Sequence, residues 1–142
     1  MAFAVALLTP GIVAAQSGAI GRVKVATGTA TIVRAGQVIA AAVGTEVFEA
    51  DTLRTAADGR LAVMLRDETR LTLGPGSEVA VAAFAFTPAE SRLGLTLRVA
   101  RGVLSYVSGL VARLAPSSVS IQTPTSVIGV RGTHALVRVG PR

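Results

Sequence analysis

The chain has 142 residues, 14 Lys and Arg against 8 Asp and Glu for a formal net charge of +6, and 51% of it is hydrophobic. That length closes one sizeable core and gives no reason for a second domain. There is no Cys and no Trp, and only four Phe and one Tyr. Disulfides, a thiol nucleophile and a Cys-ligated metal are therefore excluded, and the core must come from Val, Leu, Ile and Ala.

Residues 1–21 carry no charged side chain, and apolar stretches at Phe3–Leu8 and Ile12–Ala15 flank Thr9-Pro10-Gly11. Val13-Ala14-Ala15 puts small residues where a signal peptidase needs them, so an export signal cleaved after Ala15 is expected, leaving 16–142 as one domain in the periplasm. No Lys or Arg precedes the apolar run, which leaves a start further upstream open. The Pro-Gly break leaves no apolar run of spanning length, so no stable membrane span is expected after cleavage.

From there the dominant period is two. Leu61, Val63 and Leu65 alternate with Arg60, Ala62, Met64 and Arg66; Leu71 and Leu73 alternate with Arg70 and Thr72; Val79 and Val81 follow; Leu93, Leu95, Leu97 and Val99 alternate with Gly94, Thr96 and Arg98. Successive strand side chains point to opposite faces, so each run offers one apolar face to a core. Turns are expected at Thr27-Gly28, Ala35-Gly36, Asp58-Gly59, Asp67-Glu68, Gly74-Pro75-Gly76-Ser77 and Arg101-Gly102. This punctuation predicts an all-β fold of about ten short strands, either a β-sandwich or roll or a short β-solenoid. Leu110, Val111 and Leu114 at helical spacing predict one short helix over 108–114, ended by Pro116, followed by a strand over 119–123.

Charge is segregated along the chain. All eight carboxylates lie between Glu46 and Glu90, whereas residues 91–142 hold seven arginines and no acid. Such a stripe suits anionic head groups, an acidic partner or nucleic acid, and equally a composition in which Arg is the ordinary solvated residue. Nucleic acid is not expected, because stacking aromatics are almost absent. Gly129-x-x-Gly132 has the spacing of a KH clamp, but its neighbours are β-branched rather than helical.

Parts for catalysis are scarce. His134 is the only histidine and shares a strand face with Leu136 and Arg138; an ordinary, partly buried histidine is expected. Asp51, Asp58 and Asp67 sit at or beside turns, where aspartate commonly bonds backbone. Asp67, Glu68 and Glu78 lack EF-hand spacing. No enzyme activity, cofactor or metal is expected.

Three segments carry a family resemblance: Asp51-Thr52-Leu53-Arg54-Thr55; Leu71 to Val79 with Gly102-Val103-Leu104; and Thr123-Pro124-Thr125-Ser126-Val127-Ile128-Gly129-Val130-Arg131-Gly132-Thr133. In this order, from about Val23 to Val139, the chain resembles a FecR domain. It departs at Ala50 and Glu68, which occupy positions where the family usually has glycine, and glutamate tolerates positive φ poorly. The resemblance marks Asp51, Thr55, Asp67, Gly102, Thr123, Pro124, Gly129, Arg131, Gly132 and Thr133 as a signature with a mainly structural role. The glycines near the end are expected to permit a bulge or close crossing, with Arg131 covering the bend. The resemblance implies a cell-envelope module related to regulators of iron uptake, here without their cytoplasmic anti-sigma segment and transmembrane helix. The expected role is a non-catalytic binding, signal-sensing or scaffold domain that docks an unidentified envelope protein, by strand addition for example. A cell-wall or glycan-associated domain, or a fragment of a longer protein, are the alternatives, and self-association through an open edge stays open.

Overall fold

The computed structural model describes residues 18–130 and 132–140. The expected export signal over 1–15 and the signature residue Arg131 lie outside the described residues. Twelve strands run in the order β1 (Gly21–Thr27), β2 (Ala30–Arg34), β3 (Gln37–Ala40), β4 (Glu46–Val47), β5 (Thr52–Thr55), β6 (Arg60–Leu65), β7 (Arg70–Leu73), β8 (Glu78–Thr87), β9 (Arg92–Val107), α1 (Leu110–Leu114), β10 (Val119–Gln122), β11 (Val127–Gly129) and β12 (His134–Val139). They form one curled, half-barrel sheet, a roll rather than a solenoid.

The predicted alternation is what closes the core. Leu61, Val63, Leu65, Leu71, Leu73, Val79, Val81, Leu95, Leu97 and Val99 are all buried. Phe84 and Tyr106 are the only buried aromatic side chains among the described residues, as the composition requires. Burying an aliphatic side chain of this kind contributes about 1.5–3 kcal/mol, so this row is the main stabilising term.

Two expectations need correction. Arg101-Gly102 is not a turn: it lies inside the 16-residue β9, at a shift of register between β8 and β9. The first half of β9 pairs with β8 on one edge and, in parallel, with β10 on the other; its second half pairs with β7 and β12. One long strand thus belongs to both halves of the roll. The helix is also shorter than expected, at Leu110–Leu114, and buries only Val111, while Leu114 is exposed.

Both non-glycine departures adopt the backbone that the family's glycines would supply. Ala50 has φ +72° and Glu68 φ +71°. The turn at Asp67-Glu68 therefore forms despite its glutamate, closed by Glu68 N–H donating to the Leu65 carbonyl at 2.9 Å.

Candidate functional site

The signature residues do not converge on one point. Asp51 is buried in the turn before β5, where its carboxylate receives Arg34 Nε at 2.9 Å, Arg34 Nη2 at 2.8 Å and the Phe48 amide at 2.9 Å. The Arg34 guanidinium lies 4.5 Å above the Phe48 ring centroid and also donates to the Glu46 carbonyl. The hydrogen bond to Asp51 raises the Arg34 pKa, offset in part by burial. A forked cation on a buried carboxylate locks the β2–β5 pair to this turn. Arg34 is 17 residues from Asp51, so no local spacing could have named it.

Thr55 and Gly102 meet around Ser77. The Thr55 hydroxyl donates to the Gly74 carbonyl at 2.7 Å and accepts from Ser77 N–H at 2.9 Å. Ser77 Oγ accepts from Val103 N–H at 2.9 Å. Gly102 has φ +90°, and a Cβ there would overlap Ser77 Cα and Oγ. Here the glycine is required twice, by conformation and by approach.

Asp67 is fully buried and caps α1 from outside the helix. Its carboxylate accepts from Thr69 N–H at 3.1 Å, Thr69 Oγ1 at 2.7 Å and Val111 N–H at 3.0 Å, while its carbonyl accepts from Leu110 N–H at 2.7 Å. The Tyr106 hydroxyl, also buried, has no hydrogen-bond partner among the described residues. Burial, with the nearby Asp67 carboxylate, pushes its pKa up to about 12.

Of the remaining signature residues, Thr123 and Pro124 border a groove. Thr123 and Ser126 close the β10–β11 turn, with Thr123 N–H donating to the Ser126 carbonyl at 2.8 Å and Ser126 N–H to Thr123 Oγ1 at 3.1 Å; Pro124 sits exposed at its tip. Gly129 ends β11. The close crossing expected there is not found: an added Cβ at Gly129 or Gly132 meets no atom within 4 Å, and Gly132 is special only in its φ of +100°. The Thr133 carbonyl accepts from Ser108 N–H at 2.9 Å at the start of β12.

This groove, of about 700 Å³, runs between the Thr123–Ser126 turn with Ile128 on one side and Leu136–Gly140 on the other, with Ala100 and Arg101 of β9 between them. Ile128 is 37% exposed and Leu136 63%. A second depression, reaching Pro75 and Gly76, shares Arg101, Arg138, Val139 and Gly140 with it. β12 pairs only with β9, so its other backbone edge is open among the described residues. The Ser108–Thr133 bond fixes the pleat: odd-numbered residues from Thr133 to Val139 aim their N–H and C=O at β9, whereas His134, Leu136 and Arg138 aim theirs outward.

His134 is exposed rather than partly buried, with its Nε2 3.0 Å from Ser105 Oγ. Among the described residues no carboxylate bonds this pair, and no group of three or more His, Cys, Asp or Glu is placed to hold a metal ion. No helix among them is long and apolar enough to cross a membrane.

A family model described as FecR protein matches residues 51–142, well over half of the chain. No curated protein and no solved structure matches it.

Proposed function

Because the chain belongs to the FecR protein family, whose members are envelope-associated and linked to signalling, we propose that it is a non-catalytic periplasmic module that binds another envelope protein. The observation that supports this reading is the open outer edge of β12 beside a groove lined in part by Thr123–Ser126 and Ile128 of the signature segment, with the exposed apolar side chains of Ile128 and Leu136 on its walls. An unpaired strand edge offers backbone donors and acceptors in register, which is what strand addition uses. The turns at Asp51, Thr55 and Asp67 are tied by hydrogen bonds within the roll, so in this reading those signature residues serve the frame and the groove serves contact.

Photocrosslinking in intact envelopes tests this. A crosslinker at Leu136 is expected to give a discrete protein adduct that the same group at Val38, on the exposed strand β3 at the far end of the sheet, does not give. No adduct above background, retention on peptidoglycan without a protein partner, or ester hydrolysis lost on Ser105→Ala would each overturn the reading.

A further inference from the structure

Charge pairing identifies the chemistry that the groove selects. Seven of the eight carboxylates are already engaged within the chain. Glu46 faces Arg22, Asp51 holds Arg34, Glu78 holds Arg54 and Glu90 faces Arg92. Glu49 accepts from the Phe84 amide and Asp58 from the Thr29 amide, while Asp67 caps α1. The arginines at the groove have no such partner: among the described residues neither Arg101 nor Arg138 forms an ion pair, and Arg98 beside it bonds only the neutral Gln122. Arg101 and Arg138 line this groove from exposed positions, and the exposed Arg98 lines an adjoining depression that shares Ala100, Thr123 and Pro124 with it.

Resting on the docking reading above, we propose that the partner segment is an acidic peptide in extended conformation, which adds to the outer edge of β12. Its backbone would pair with the outward N–H and C=O groups of His134, Leu136 and Arg138. On the face that it shares with Leu136 and Arg138, a carboxylate would meet Arg138 and Arg101, and an aliphatic side chain two residues along would lie on Leu136 and Ile128. A peptide fits better than a phosphate-bearing surface or polymer, since it brings backbone N–H and C=O groups at strand spacing together with aliphatic side chains for Leu136 and Ile128. A second copy of this chain fits worse, because pairing β12 with itself brings two sets of uncompensated arginines together.

The probe is an acetylated, amidated peptide of about eight residues repeating Val-Thr-Glu-Thr, so that Val and Glu alternate along one face, labelled for fluorescence anisotropy and titrated with the full chain. Saturable binding that weakens as salt rises is expected. Replacing each Glu by Lys, or N-methylating the backbone positions that face β12, should weaken binding at least roughly tenfold. Arg101→Glu with Arg138→Glu should do the same while the β-sheet circular dichroism is unchanged. Equal binding of the Lys or N-methylated peptide overturns the proposal. So does binding of anionic phospholipid vesicles in place of the peptide, or dimerisation that blocks it. Absence of peptide binding while Leu136 still crosslinks an envelope protein overturns only the acidic-strand assignment; loss of that crosslink overturns the docking reading beneath it.

Discussion

At the scale of single residues, the two places where the chain lacks the family's glycine are also places where its backbone is left-handed. An L-residue in that region costs roughly 1–2 kcal/mol, partly offset because glycine makes the unfolded chain more flexible. Ala50→Gly and Glu68→Gly are each expected to stabilise the fold by about 1 kcal/mol, raising Tm by roughly 3 °C in a calorimetric scan. An unchanged or lower Tm in both would mean that these turns relax elsewhere. Tyr106 gives a pH-dependent expectation. In the unfolded chain its phenol ionises near its ordinary pKa of 10, but in the fold it keeps its proton to about 12. Over that window the unfolded state binds fewer protons, so stability must fall as pH rises from about 10 to about 12. Tyr106→Phe removes a buried hydroxyl that has no protein partner; at neutral pH stability should hold or rise by about 1 kcal/mol, and the alkaline fall should flatten. Urea midpoints at pH 7 and 11 measure both. Little of this was legible beforehand: the Asp51 and Asp67 turns were, because aspartate beside a turn bonds backbone, but tertiary folding alone brings Arg34 onto Asp51 and buries the unpartnered Tyr106 hydroxyl near Asp67.

At the scale of elements, glycines that look alike in sequence carry different burdens. Gly102 combines positive φ with contact against Ser77, and an added Cβ at Gly109 would overlap the Asp67 carbonyl and Thr69 N at the root of α1. Gly129 has open space. Gly102→Ala and Gly109→Ala are therefore expected to destabilise by about 3 kcal/mol or more, whereas Gly129→Ala should stay within about 0.5 kcal/mol. Denaturant melts of the three variants give the ranking, and a large loss at Gly129 would show that the signature segment is held by packing that its backbone does not reveal. Asp67→Ala should also loosen α1, seen as faster amide exchange at Val111, because the helix loses the carboxylate that receives that N–H. The strands themselves were readable where alternation was clean, as in β6 and β7. They were missed where a bulge changes the phase. Val79 and Val81 point inward, but after the irregularity between Val81 and Ala83 the next buried side chain is Phe84. Likewise Arg101-Gly102 carries a turn's composition, yet a glycine with positive φ inside a strand makes a kink, and β9 continues through it.

At the scale of the whole molecule, an all-β roll with an aliphatic core follows from the alternation and from the want of aromatic residues. Strand order did not follow, because period two says which face is buried and nothing about which strand is the neighbour. The groove was hidden for the same reason: Ile128 and Leu136 are eight residues apart, and only the pairing of β10 and β12 to successive parts of β9 brings them to one depression. That shared strand has a thermodynamic consequence. Leu95, Leu97 and Val99 fill one half of the core and Leu104 and Tyr106 the other, so neither half can lose its packing without uncovering an edge of β9 and the apolar side chains it carries into the other. The two halves should therefore unfold as one cooperative unit. Tyr106, the only tyrosine, reports on one half by its fluorescence; amide exchange at Ile32 and Leu53, both fully buried, reports on the other. Their transitions in urea are expected to coincide, and refolding should take milliseconds to seconds because the pairings join distant parts of the chain. Separate midpoints would show that the kink at Gly102 divides the sheet into independent units, leaving the groove at a hinge instead of on a rigid wall.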